Sequence, residues 1–119
     1  MKKCLALLFF ATVLPLVVHA QIMVNGKNVN DILGLEYVEL IVDRRAFNQG
    51  QVFAVIDHGQ TIRFRDLRQN RVKDETGTDK LFGGEMDIFN FLFKNGWIHE
   101  TTYSAGESGF VYHIFRRKK

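Results

Sequence analysis

Glu85-Met86-Asp87-Ile88-Phe89-Asn90-Phe91-Leu92-Phe93-Lys94-Asn95-Gly96-Trp97 is the stretch that decides the fold. Met86, Phe89 and Phe93 fall at i, i+3 and i+7, with Ile88 and Leu92 beside them, which is the spacing of an amphipathic helix. Phe91 falls at the edge of the apolar arc, and Asp87, Asn90 and Lys94 share the opposite face. Glu85 and Asp87 suit the positive end of the helix dipole and Lys94 the negative end. Gly96 supplies a left-handed stop, so a helix is predicted over Glu85 to Asn95.

Strands surround this helix. Trp97 to Tyr103 starts directly after the glycine, and Phe110 to Arg116 follows a polar, glycine-containing loop over Ser104 to Gly109. Upstream, Glu36 to Val42 is rich in β-branched and aromatic residues, and Arg44 to Gly50 reads as a loop. Gln51 to Asp57 contains Val52-Phe53-Ala54-Val55-Ile56, apolar on both faces, which predicts a central strand covered on both sides. Thr61 to Asp66 alternates, with Ile62 and Phe64 against Arg63 and Arg65, which predicts a strand with one wet face. Asp74-Glu75-Thr76-Gly77 reads as the turn of a small hairpin, after which Leu81-Phe82 returns to the core. Near the start, Asn25-Gly26 between short apolar stretches predicts a tight hairpin turn. Asn30 or Asp31 is then expected to cap a short helical turn ended by Gly34. The sum is an α+β domain: an antiparallel sheet of about five strands with one amphipathic helix packed on one face.

The first twenty residues have the three parts of an export signal. Lys2 and Lys3 precede an almost unbroken apolar run from Leu5 to Val18, and Val18-His19-Ala20 places small residues at the expected cut. The run is shorter than the ~20 apolar residues of a membrane-spanning helix and contains Pro15. Residues 1–20 are therefore expected to be a signal peptide of bacterial type, and residues 21–119 a single domain in the periplasm or outside the cell. Cys4, the sole cysteine, lies in the basic region and not after the cut, which argues against a lipid anchor. The mature chain would have no thiol, hence no disulfide and no cysteine nucleophile or metal ligand.

Cleavage also removes two of the 16 Lys and Arg residues, leaving 14 against 13 acidic residues. Four of the 14 are the terminal Arg116-Arg117-Lys118-Lys119. Nucleic-acid binding needs a clustered basic surface, which this distribution does not predict. The mature chain keeps 40 apolar residues, 13 of them aromatic, enough for a modest core.

Phe91-Leu92-Phe93-Lys94-Asn95-Gly96-Trp97, together with Tyr112-His113-Ile114-Phe115-Arg116-Arg117-Lys118, resembles a group of small bacterial domains. In those, a helix ends in Gly-Trp-Glu and the last strand ends in an aromatic-basic motif. Ile98 stands where that group has glutamate. More widely, the chain resembles small signal-bearing proteins of Bacteroidetes with an early Asn-Gly-Lys, a Glu-Tyr-Val-like strand, an Asp-x-Gly-Gln step (Asp57-His58-Gly59-Gln60) and a Tyr-His-containing last strand. No activity is assigned to either group. The resemblance implies a fold, a compartment and a phylum.

No motif in the chain predicts catalysis. If Tyr103 pairs with Phe110, His99 faces Ile114 and the two histidines fall on opposite faces; a one-residue shift pairs them. Two histidines without a third ligand make a weak zinc site. Asp57 and His58 are neighbours on a strand and point apart, so a turn opened by Asp57 is the better reading. Gly106-Glu107-Ser108-Gly109 lacks the final glycine of a nucleophile elbow. Asp74, Glu75 and Asp79 depart from calcium-loop spacing, with Gly77 at the wrong position. Glu85 would repel an anion from the Gly83-Gly84 helix start.

The function expected from these residues is a non-enzymatic binding module of the cell envelope, with no cofactor, metal or nucleic acid. Its partner would be an envelope protein or a glycan, and Trp97, His99, Tyr103, Tyr112 and His113 are the candidate interaction surface. The alternatives are an accessory or inhibitor-like module joined to another chain by strand pairing, and an enzyme whose site the sequence conceals. A deep pocket lined by His99 or His113 would favour the last.

Overall fold

The computed structural model describes residues 21–45, 50–60, 62–104 and 109–119. The expected signal peptide and the middle of the Ser104–Gly109 loop lie outside them, as does most of the Arg44–Gly50 loop. The described residues form an α+β fold with two antiparallel sheets and one main helix. Strands β1 (Met23–Val24) and β2 (Lys27–Asn28) make a small hairpin. Its turn has Asn25 at φ 52° and Gly26 at φ 75°, the left-handed pair that an Asn-Gly turn requires. A 3-10 turn over Val29–Asp31 follows, capped by Asn28, whose side chain accepts from the Asn30 N–H at 3.1 Å. The cap thus lies two residues before the earlier of the expected positions.

The larger sheet contains β3 (Tyr37–Asp43), β4 (Phe53–Asp57), β5 (Trp97–Ser104) and β6 (Val111–Arg117), in the order β4-β3-β6-β5. β4 is therefore an edge strand, not a central one. Its apolar run is nevertheless buried, with Ala54, Val55 and Ile56 each at most 1% exposed. The reason is that both faces are covered, Ala54 and Ile56 by the main core and Val55 by Ile41 and Leu67, while other backbone takes the edge. Val72 N–H donates to Ala54 C=O at 2.8 Å, and Val52 and Phe82 exchange bonds of 3.0 and 2.9 Å. With that edge taken, the segment expected to be a strand at Thr61–Asp66 has no partner there. It forms a 3-10 helix over Phe64–Asn70 that lays Leu67 against Val55 and Ile41 on the outer face of the sheet.

Helix α1 (Glu85–Lys94) packs across the inner face. Its buried line is Ile88 and Leu92, both 0% exposed, flanked by Phe89 and Phe91. Met86 and Phe93 are 61% and 55% exposed, so the apolar arc is rotated from the expected centre towards Ile88. Full burial of each aliphatic side chain contributes about 1.5–3 kcal/mol, which fixes this rotation. Asn95 ends the helix and Gly96 turns the chain at φ 92°. Trp97 is then driven into the core at 0% exposure. Its indole N–H donates to Asn30 Oδ1 at 2.7 Å, and the Arg117 guanidinium lies 4.7 Å over its ring. Among the described residues no helix is long and apolar enough to cross a membrane.

Candidate functional site

One irregularity organises the chemistry of the sheet. β5 and β6 pair with Trp97 opposite Arg117 and His99 opposite Phe115, and the register then slips, so that Thr101 faces Ile114 and Thr102 faces His113. Glu100 is the extra residue of a β-bulge. In a regular strand, His99 and Thr102 would point to opposite faces. The bulge reverses the parity and places both on the inner face with His113 and Phe115. The expected pairing of Tyr103 with Phe110 is replaced by Tyr103 with Tyr112, and the two histidines share a face with ring centroids 5.9 Å apart.

A continuous polar line results. His99 Nε2 lies 2.8 Å from Thr102 Oγ1, and Thr102 Oγ1 lies 2.7 Å from His113 Nδ1. His113 Nε2 is 2.8 Å from Glu85 Oε1, and Glu85 Oε2 accepts from Arg44 Nη2 at 3.0 Å. Burial pushes the His113 imidazole below its ordinary value; the Glu85 carboxylate offsets only part of this, and His99 and Arg44 also oppose protonation. A neutral His113 fits every contact. Its Nε2–H donates to Glu85, its Nδ1 accepts from the Thr102 hydroxyl, and Thr102 accepts from His99. Phe89 closes the line from the helix side, stacking on His99 at 5.1 Å and meeting His113 edge-on at 4.9 Å.

The line ends in a cleft of about 570 Å³ where β3 finishes and β6 begins. Its polar wall is Asp43, Arg44, Arg45, Glu85, Thr102 and His113; its apolar wall is Val42, Leu67, Phe110 and Val111. Asp43 accepts from Arg45 Nε at 2.8 Å and from Arg71 Nη2 at 2.7 Å. Burial raises the Asp43 carboxyl, but these hydrogen bonds outweigh it and hold the group down at about 2. A second cleft, of about 700 Å³, lies between the Asp74–Thr78 turn and the end of α1, with Met23, Lys80, Phe91 and Lys94 in its wall.

The outer face carries a different chemistry. Tyr103 stacks on Tyr112 at 5.2 Å and 20°, and Tyr103 donates its hydroxyl hydrogen to Glu39 Oε2 at 2.6 Å. That bond pushes the Tyr103 phenol up to about 12. Tyr37 pairs with Arg116 farther along the same face and is 54% exposed.

The five residues expected on one interaction surface are thus divided. Tyr103 and Tyr112 lie on the outer face, His99 and His113 on the inner face, and Trp97 is core. His113 lines the cleft. Thr102, Glu85, Arg44, Arg45 and Asp43 were missed; the sequence signal for Thr102 was its place between two histidines whose register was open. The Asp57 turn forms as expected, with Gly59 N–H on Asp57 Oδ1 at 2.9 Å. The acidic hairpin is internally satisfied. Asp74 Oδ1 caps Thr76 and Thr78, while Asp79 pairs with Arg71 and Lys73.

No protein family, curated protein or solved structure matches the chain.

Proposed function

We propose that the protein is an exported binding module of the cell envelope and that it takes a saccharide on the outer face of its sheet. The observation that carries the reading is the Tyr103–Tyr112 stack tied to Glu39. Saccharides are recognised by flat aromatic rings beside fixed polar groups. Here the rings share a face with Glu39, Arg116 and exposed Tyr37. The Glu39 contact fixes the Tyr103 side chain in advance, which lowers the ordering cost of binding.

An oligosaccharide array read with the purified protein tests this. Binding of one glycan class, lost in Y103A/Y112A but kept in M86A, supports it; no glycan bound by the wild type overturns it. Mass spectrometry of the protein from its own envelope fraction tests export, with an amino terminus at Gln21 expected.

A second reading rests on β5. It ends the sheet order, whereas the opposite edge at β4 is bridged by Arg71 and Phe82 with their neighbours. Thr101 to Ser104, beyond the bulge, carry no charge to deter an added strand. Protection of the Thr101–Ser104 amides from hydrogen exchange on adding a partner supports strand pairing.

A further inference from the structure

The cleft at the end of the sheet has its own charge balance, independent of the tyrosine face. Asp43 binds Arg45 and Arg71, Arg71 also binds Asp79, Asp79 binds Lys73, and Arg44 binds Glu85 across the opening. Of these, Asp43, Arg44, Arg45 and Glu85 line the cleft and balance one another, Arg71 is matched by Asp79, and Lys73 lines the other cleft. The His113 contact to Glu85 adds no charge while the imidazole is neutral. The charges are also layered. The Arg44 and Arg45 side chains are 66% and 54% exposed, whereas Glu85 and Asp43 are 31% and 2% exposed. An approaching molecule meets guanidinium first. Arg44 uses only Nη2 on Glu85, and Arg45 uses Nε and Nη2 on Asp43. Their remaining side-chain N–H groups have no partner among the described residues. Guanidinium forks match carboxylate geometry. Behind them, Leu67, Phe110 and Val111 give an apolar wall, and Val111 is 43% exposed. The volume of about 570 Å³ falls within the range of small-molecule sites.

We propose that this cleft binds a small organic monoanion: a carboxylate held by Arg44 and Arg45, on an apolar body lying against Leu67, Phe110 and Val111. The exposed guanidiniums offer paired N–H groups to one carboxylate, and the balanced lining holds no surplus charge for a phosphate dianion. The acid leaves the existing ion pairs in place and uses only guanidinium N–H groups that have no partner among the described residues.

Titrating the ¹⁵N-labelled protein with hexanoate and 4-phenylbutyrate, and with the corresponding alcohols, tests the proposal. The acids are expected to shift the amides of Thr102, Val111 and His113 and to bind at least about tenfold more tightly than the alcohols. Added salt narrows the difference. R44Q/R45Q is expected to reduce acid binding to the level of the alcohols, and K80Q/K94Q in the other cleft to leave it unchanged. Unaltered Trp97 fluorescence verifies that the double variant folds, and R44Q alone, which keeps both Asp43 partners, is expected to lose part of the affinity. The proposal is overturned if acids and alcohols bind equally, if neither binds at millimolar concentration, if R44Q/R45Q binds acids like the wild type, or if the shifts map to Lys80 and Lys94.

Discussion

His113 on the last strand and Glu85 at the first turn of the helix meet at 2.8 Å, joining the two ends of the C-terminal half across the inner face. The contact is shielded on one side by Phe89 and faces the cleft on the other. Its strength depends on the protonation of His113, because burial favours the neutral ring while Glu85 favours the charged one. Burial wins, so the folded protein binds fewer protons here than the unfolded chain.

The sign of the pH dependence follows. The contribution of His113 to stability is fully present above the unfolded histidine value of about 6.5. It is lost as the pH falls from there through the lower folded value. Urea unfolding between pH 7.5 and 5 is expected to show a falling midpoint, and H113Q to flatten that dependence. A midpoint that rises on acidification would mean that Glu85 dominates instead.

Asp43 gives a separate acid limb. Its folded value of about 2 lies below the ordinary 3.8, so its contribution is present above 3.8 and lost as the pH falls towards 2. The shift corresponds to about 2 kcal/mol. D43N has a larger expected cost, about 3–5 kcal/mol, because it removes a charged partner of Arg71, which is 3% exposed. Chemical denaturation of D43N against R45Q separates the buried pair from the exposed one, and R45Q is expected to cost under about 1 kcal/mol.

The Glu100 bulge is tested by deletion. Removing Glu100 leaves His99 opposite Phe115, Thr101 opposite Ile114 and Thr102 opposite His113 in an uninterrupted ladder, in which His99 and Thr102 stand two residues apart and share the inner face. The Thr102 bridge and the His99–His113 ring contacts in NMR are therefore expected to survive the deletion, whereas T102V, which removes the bridging hydroxyl, is expected to cost about 1–3 kcal/mol. E100A, which keeps the extra residue, is expected to retain both.

How far these features were legible depends on the range of the interactions behind them. The Asn25-Gly26 turn, the helix start at Glu85 and its stop at Gly96 are local chemistry and could be read directly. The rotation of α1 towards Ile88 and Leu92 depends on what the helix packs against, and an arc containing five apolar side chains does not specify its own centre. The Thr61–Asp66 alternation resembled a strand, but the edge it needed is occupied by Val72 and Phe82, which follow it in the chain. The polar line was hidden for a related reason. A single bulge decides whether His99 and His113 share a face, and no residue type marks it. Arg44 and Glu85 are 41 residues apart and meet only through the completed fold.

Tyr103 provides a spectroscopic test of the outer face. Its hydroxyl donates to the Glu39 carboxylate at 2.6 Å, and ionising the phenol would bring two negative charges together. The phenol is accordingly pushed up to about 12, with Glu39 as the largest cause. The chain has three tyrosines, so absorbance titration of single Tyr→Phe variants assigns each step. In the wild type the Tyr103 step is expected about two pH units above that of a free phenol. E39Q removes the charge but keeps an acceptor, and should return the step most of the way towards 10. If E39Q leaves Tyr103 titrating near 12, the carboxylate does not hold the ring, and the case for a preset tyrosine platform falls with it.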